Sequence, residues 1–82
     1  MSNRVIKNDQ KLHKLKYWRG IVGATQDDFA ALIGCKRSNY CSKENGNTEI
    51  FLSEQKRIKA EINKRLARMG REEVTMDEIF LP

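Results

Sequence analysis

Side chains that donate hydrogen bonds or carry positive charge are concentrated between residues 36 and 43 of this 82-residue chain. They are Lys36, Arg37, Ser38, Asn39, Ser42 and Lys43. At helical spacing these side chains share the outer part of one helix, and none of them is acidic. Phosphate oxygens and the acceptor atoms of base edges bind this kind of surface. The row therefore indicates contact with a nucleic acid.

Other reactive residue types lack the partners that catalysis or metal binding requires. His13 is the one histidine and stands among lysines, where a solvated or phosphate-facing role explains it. Asp27 and Asp28 fall in the first turn of a predicted helix, where the helix dipole favours negative charge. Cys35 and Cys41 do not have metal-ligand spacing, so we interpret them as free thiols in a reducing compartment. The sequence predicts no enzyme, no metal, no cofactor and no small-molecule substrate.

The net charge of +5 is concentrated near the N-terminus. Residues 1–24 carry six lysines and arginines against one acidic residue, while the remainder of the chain is balanced. A basic segment beside a neutral body suits a polyanion such as nucleic acid. A solvated charged face is the alternative, and charge alone does not decide between the two.

The chain is short enough to be a single domain. Residues 1–8 are predicted to be a flexible basic arm, and residues 9–82 the folded domain. No stretch approaches the roughly 20 apolar residues of a membrane span, and the N-terminus has no signal-peptide core. The expected location is therefore the cytoplasm, with no membrane partner.

Three helices are predicted in the first half of the chain. The first is capped by Asn8 or Asp9, runs to about residue 22, and buries a stripe formed by Leu12, Leu15, Trp18 and Val22. The second is capped by Thr25 with Asp28 as the acidic partner of a capping box, and it ends at Gly34. Its inner face consists of Phe29, Ala30 and Ile33. The third covers residues 36–45, with Tyr40 facing inward.

Two further helices are predicted after residue 46. Ser53 is expected to cap a long helix that runs to about residue 69 and ends at Gly70. Its buried face is predicted to contain Ile58, Ile62, Leu66 and Met69. Thr75 then caps a short last turn, with Glu78 completing a second capping box. The pattern predicts five helices and no strand.

The ordered residues of this pattern resemble the helix-turn-helix of the phage repressor and Cro family, which belongs to the wider Xre-type bacterial regulators. The matching features are Gln26 after the cap, Ala30, Gly34 at the turn, the Glu-Asn-Gly at residues 44–46, Arg19, and residues 74–80. The resemblance covers roughly residues 12–80. It implies an all-α, five-helix lambda-repressor-like domain that binds double-stranded DNA, with residues 36–45 as the recognition helix.

The resemblance also implies a role for individual residues. By position, Arg37, Ser38 and Ser42 match residues that read bases. Gln26 and Asn45 match residues that contact the DNA backbone, and Gln26 is also expected to brace the start of the recognition helix. Lys36, Asn39 and Lys43 are further expected backbone contacts, and the basic first helix adds Lys14. Arg19 and Glu44 are expected to form a structural ion pair.

Family members of this kind act as two-fold dimers on operators. The resemblance therefore implies a homodimeric, Cro-like repressor bound to an operator on the nucleoid of a bacterial cell. Leu32, Phe51, Phe80 and Leu81 are the candidate dimer contacts. The alternative is an antitoxin or antirepressor that uses the same fold to bind another protein. A protein-binding helix face is expected to carry apolar anchors, whereas residues 36–43 carry donors and cations.

Overall fold

A computed structural model describes residues 12–81, which form five α-helices and no strand. The helices are α1 (His13–Ile21), α2 (Gln26–Ile33), α3 (Arg37–Glu44), α4 (Leu52–Arg68) and α5 (Met76–Phe80). The all-α class predicted from the sequence is confirmed for this part of the chain. The predicted arm at residues 1–8 and the proposed caps Asn8 and Asp9 lie outside the described residues. Between residues 12 and 81, no helix has the length and apolar character needed to cross a membrane.

Local signals determine the limits of α2. The hydroxyl of Thr25 accepts a hydrogen bond from the Asp28 backbone N–H at 3.0 Å, and the Asp28 carboxylate accepts one from the Thr25 N–H at 2.9 Å. The Thr25 N–H lowers the pKa of Asp28 below its usual value. At the other end, Gly34 has a φ of 76°, a left-handed conformation that strains residues with a Cβ. The predicted capping box and the stop at Gly34 are both confirmed.

One core holds the helices together. Helix α2 packs against α3 and α4, while α5 packs against α1 and α4. The largest fully buried side chains are Leu15, Phe29, Tyr40, Ile58, Ile62, Leu66 and Ile79. The indole N–H of Trp18 donates to the backbone carbonyl of Glu78 at 3.2 Å, which joins α1 to α5. Burying apolar side chains from all five helices is the main stabilising contribution in a chain of this size.

The start of α4 differs from the prediction. The helix begins at Leu52, and Phe51 rather than Ser53 is the residue before it. The carboxylate of Glu54 accepts a hydrogen bond from the Phe51 backbone N–H at 3.0 Å, which satisfies a donor at this end of the helix. The side chains of Phe51 and Leu52 at this end of the helix are both more than half exposed. Only Ile50 of this segment packs against the core.

Near the end of α4, the predicted burial of one residue is wrong, and the burial of another was not predicted. Met69 was predicted to be buried, but it lies just past the last helical residue, Arg68, and its side chain is half exposed. Asn63 was not predicted to be buried, yet it is 9% exposed. Its amide donates to the carbonyl of Val74 at 3.0 Å and accepts from the N–H of Val74 at 2.8 Å. Asn63 thereby fastens the segment between α4 and α5 to α4.

Candidate nucleic-acid interface

The outer face of α3 presents the polar row found in the sequence. Lys36, Arg37, Ser38 and Asn39 are exposed, and Ser42 is half-buried. Lys36 is extended and provides no side-chain cap, so the first backbone N–H groups of α3 have no side-chain partner from that residue. The inner face of α3 is closed to solvent by Tyr40 and Glu44, at 0% and 4% exposure.

Glu44 is the centre of a polar cluster behind α3. Its carboxylate accepts two hydrogen bonds from the Arg19 guanidinium, at 2.9 Å from Nε and 3.2 Å from Nη2. The Tyr40 hydroxyl donates to the same group at 2.7 Å, and the Gln26 amide at 3.2 Å. Side chains from α1, α2 and α3 therefore meet at one carboxylate. We call Arg19, Gln26, Tyr40 and Glu44 the Glu44 cluster.

The charges of this cluster are mutually stabilised. Burial disfavours the charged form of Glu44, but the hydrogen bonds from Arg19, Tyr40 and Gln26 outweigh it and hold the pKa of Glu44 below its usual value. The hydrogen bond to Glu44 raises the pKa of Arg19. Burial, followed by the neighbouring carboxylate, raises the pKa of Tyr40, so its hydroxyl remains a donor. Glu44 is thus ionised and Arg19 charged at neutral pH.

Backbone contacts attach the cluster to the rest of the fold. Arg19 also donates to the carbonyl of Ala24 at 3.1 Å, in the turn between α1 and α2. The backbone N–H of Leu12 donates to the carbonyl of Glu44 at 3.0 Å, which ties the start of α1 to the end of α3. These bonds fix the orientation of α3 relative to α1 and α2. A bidentate arginine–carboxylate pair adds directional restraint that a lysine would not provide.

Gln26 belongs to the Glu44 cluster and also lies near Arg37 of the exposed row. Its amide donates to Glu44, at the end of α3, although the sequence had led us to expect it to brace the start of that helix. Gln26 and Arg37 also line a shallow depression of about 510 Å³ at the N-terminus of α2. Arg19 and Asp27 contribute to the same depression. Two arginines, one amide and one carboxylate thus border a space open to solvent beside α3, and the guanidinium of Arg19 is already paired with Glu44.

Lys43 is held by groups within the chain, although it was expected to contact the DNA backbone. Its ammonium group donates to the carbonyl of Glu49 at 2.9 Å and forms an ion pair with Glu54 at 3.2 Å. It also lies 4.9 Å from the centre of the Phe51 ring. Only 12% of the Lys43 side chain is exposed. These contacts account for Lys43 without a phosphate.

The remaining predicted residues lie at the edges of the site. Lys14 is exposed on α1. Asn45 follows the last residue of α3, and its amide donates to the sulfur of Cys41 at 3.4 Å. Cys35 and Cys41 are free thiols. Within residues 12–81, no group of three or more histidine, cysteine or acidic side chains is arranged to hold a metal ion.

The residues around α3 form a rigid support behind an exposed polar face. No protein-family model matches this chain, and no curated protein or solved structure is significantly similar to it. The chemistry of the face is that of a surface for anions and hydrogen-bond acceptors, because Lys36 and Arg37 supply charge and Ser38 and Asn39 supply short donors.

Proposed function

We propose that the chain is a sequence-specific, double-stranded DNA-binding regulator of transcription. In this proposal α2 and α3 act as a helix-turn-helix of the lambda-repressor-like type, and α3 enters the major groove. The observation that carries the proposal is the exposed, acid-free face of α3 with its one carboxylate, Glu44, buried behind it. An acidic group on that face would repel the phosphates that flank the groove.

Arg37 is the main base-reading residue of this proposal. It is exposed in the first turn of α3, where a long side chain reaches a base edge. A guanidinium pairs best with O6 and N7 of guanine, and such a pair contributes roughly 1–3 kcal/mol of discrimination. Ser38 and Ser42 are shorter donors on the same helix, suited to hydrogen bonds with further base edges. Sequence preference follows from the fixed spacing of these three side chains.

The surrounding residues supply the backbone contacts. Lys36 and Asn39 flank Arg37 on the exposed face, and phosphates border the groove on either side of an inserted helix. The depression shared by Gln26 and Arg37 has room for a phosphate at the N-terminus of α2, where the helix dipole favours an anion. Lys14 on α1 adds a further positive charge. Lys43 is left out because its ammonium group is already bound.

A repressor acting as a homodimer is the form of regulation that the resemblance implies. Two copies on half-sites roughly 34 Å apart bring one α3 to each successive major groove. Each copy alone offers only two turns of helix, so binding by both is needed for tight and specific association. The site of action is then the bacterial chromosome or a phage operator.

Binding-site selection on random duplex DNA tests the proposal, followed by competition titrations with the selected sequence. Arg37→Ala is expected to weaken specific binding by roughly 10- to 100-fold and to abolish the preference at one base position. Arg57→Ala removes an exposed arginine from α4 and is the matched control, expected to bind as the wild type does. Equal losses on selected and random DNA would show Arg37 to be a phosphate contact. A selection without any enriched sequence would contradict the proposal.

A protein-binding module is the second candidate function, as in an antitoxin or antirepressor. One observation favours it: Phe51 and Leu52 are adjacent and more than half exposed, and apolar anchors of this kind mark protein interfaces. They lie in the segment after α3 rather than on its outer face. If Phe51→Ser/Leu52→Ser leaves DNA binding intact while Arg37→Ala weakens specific binding, DNA is the partner of α3.

A further inference from the structure

Two oppositely charged side chains connect the end of α3 to the start of α4. The ammonium group of Lys43 lies 3.2 Å from the carboxylate of Glu54 and donates a hydrogen bond to the backbone carbonyl of Glu49 at 2.9 Å. The same oxygen of Glu54 accepts a hydrogen bond from the Phe51 backbone N–H at 3.0 Å. Together these bonds span the segment that leads from α3 to α4. We call Lys43 and Glu54 the interhelix pair.

The interhelix pair restrains the last turn of α3 against α4. Among residues 12–81, the other ion pairs join α1 to α3 or lie within α4, so this pair is the one between α3 and α4. The body of α4 packs instead on α2 and α5. The side chains of Lys43 and Glu54 are only 12% and 16% exposed, so salt screens their attraction less than that of an ion pair on the open surface.

The segment between α3 and α4 folds back onto Ser42. The backbone carbonyl of Ser42 accepts a hydrogen bond from the N–H of Asn47 at 2.9 Å and another from the N–H of Thr48 at 3.3 Å. Gly46 makes this reversal possible with a φ of 82°. Ser42 directly precedes Lys43 and is one of the side chains proposed to read bases. The interhelix pair thus holds a segment that is bonded to a proposed base reader.

Other contacts position Arg37 in the first turn of α3. The turn that leads into this end of the helix contains Gly34 in its left-handed conformation, and the Cys35 N–H donates to the carbonyl of Ala30 in α2 at 2.9 Å. The interhelix pair lies at the opposite end of α3. Opening the pair is therefore expected to displace the last turn of α3 while the first turn stays in place.

We propose that the interhelix pair positions Ser42 for base reading, so that Lys43 acts as a positioning residue and not as a DNA contact. This role rests on the proposed function, since Ser42 reads a base only if α3 enters the major groove. A serine hydroxyl is short, and a hydrogen bond is lost over a displacement of less than 1 Å. Its bond to a base edge therefore depends on where the backbone of α3 lies. The longer side chain of Arg37 tolerates a larger displacement.

A positioning role and a contact role predict opposite effects of Glu54→Gln on DNA binding. If Lys43 contacted a phosphate, this substitution would free its ammonium group and remove a repulsive carboxylate, so binding would become tighter. In the positioning role binding weakens, because the pair opens even though a negative charge has been removed. Glutamine still accepts the Phe51 N–H, as it does in capping boxes, so the start of α4 keeps that hydrogen bond.

Hydrogen exchange of the free protein tests whether the interhelix pair holds the segment. Glu54→Gln and Lys43→Met are expected to accelerate exchange of the Asn47 and Thr48 amides by roughly 2- to 10-fold, because their bonds to Ser42 open more often. Lys43→Arg keeps a cation with several donors and is expected to exchange as the wild type does. Circular dichroism establishes that each variant is folded. Unchanged exchange in Glu54→Gln and Lys43→Met would overturn the proposal.

Binding-site selection with the same variants tests the effect on base reading. Ser42→Ala identifies the base position that depends on Ser42, and Glu54→Gln is expected to relax the preference at that position while keeping the one that Arg37→Ala abolishes. Its affinity for the selected duplex is expected to fall by roughly 3- to 10-fold. Glu49→Gln is the matched control, because it removes an exposed carboxylate from the same segment and leaves the carbonyl that Lys43 binds. Its affinity is expected to be unchanged or slightly higher.

The results distinguish failure of the positioning role from failure of the proposed function. Tighter binding by Glu54→Gln, relaxed preference at a position other than that of Ser42, or no effect of Ser42→Ala would each overturn the positioning role and leave the DNA-binding proposal standing. A wild type that selects no sequence would defeat the proposed function and, with it, the role in base reading. Accelerated exchange of Asn47 and Thr48 would then still show that the interhelix pair holds the segment.

Discussion

Glu44 is almost completely removed from water, and three side chains compensate for its burial. Arg19 neutralises its charge, while Tyr40 and Gln26 complete its hydrogen bonds. A buried ion pair contributes little net stability relative to a well-packed apolar pair, but removing one partner leaves a charge that the interior cannot solvate. The cluster therefore matters most for holding α3 in one orientation.

Arg19→Ala is expected to destabilise the fold by about 3–5 kcal/mol, because the Glu44 carboxylate would remain buried without its cation. Urea denaturation followed by circular dichroism measures the change. Arg65→Ala is the matched control, since Arg65 pairs with Glu61 at 2.7 Å on the more exposed surface of α4. Its expected loss is about 0.5 kcal/mol. Similar losses for the two variants would show that the burial of Glu44 has no special cost.

The pKa of Glu44 predicts a specific loss of stability in acid. The pKa in the folded state lies below the usual value of 4.5, so the contribution of the charged form is fully present above pH 4.5. It disappears as the pH falls through the lower pKa of the folded protein. We expect Glu44→Gln to be less stable than the wild type at pH 7, with the difference shrinking below pH 4.5. A difference in unfolding free energy that does not vary with pH would contradict the assignment.

The sequence predicted one of the contacts in the Glu44 cluster. The resemblance pointed to Arg19 as the partner of Glu44, and the structure joins the two. It did not indicate the hydroxyl of Tyr40 or the amide of Gln26, because Tyr40 appeared only as an apolar inner residue and Gln26 as a phosphate contact. Whether a polar atom on an otherwise buried side chain finds a partner depends on packing between helices, which spacing along the chain does not reveal.

The limits of a helix could be predicted where they depend on residues close together in the sequence. The capping boxes at Thr25 and Thr75 were predicted and are both present, because each depends only on residues three apart. The start of α4 was missed, because Ser53 is a better capping residue than Phe51 in isolation. The carboxylate of Glu54 accepts a hydrogen bond from the Phe51 N–H, so the helix begins at Leu52, directly after Phe51.

Asn63→Ala is expected to loosen the segment between α4 and α5. The substitution leaves the backbone N–H and carbonyl of Val74 without their buried partner, which costs about 1–3 kcal/mol. Hydrogen exchange of the amides around residue 74 and thermal unfolding measure the effect. Asn47→Ala removes an exposed asparagine and is the control, with an expected change within about 0.5 kcal/mol. Unchanged exchange near residue 74 would mean that Asn63 does not secure this segment.

Charge is distributed over the whole molecule in two separate patterns. The exposed row on α3 and the lysines of α1 present cations, whereas an open groove between α4 and α5 is lined by three lysines and one carboxylate, that of Glu73. The sequence indicated the first pattern, because its residues are close together along the chain. It did not indicate the second, since Lys56 and Glu73 are brought to one groove only by the turn after α4.

Lys14→Ala is expected to weaken DNA binding without changing sequence preference. A phosphate contact releases counterions on binding, so its loss lowers affinity for all duplexes and reduces the slope of log affinity against log salt by about one. Fluorescence anisotropy at several salt concentrations measures the slope for Lys14→Ala and for the Arg57→Ala control. An unchanged slope in Lys14→Ala would locate this residue away from the DNA.

The bond between Trp18 and the Glu78 carbonyl has a practical consequence. Trp18 is the one tryptophan of the chain and contacts α5 directly. Its fluorescence emission therefore reports whether α5 is docked, independently of the helix content seen by circular dichroism. If emission shifts to longer wavelength before the helical signal falls, the C-terminal helix separates from the body ahead of global unfolding.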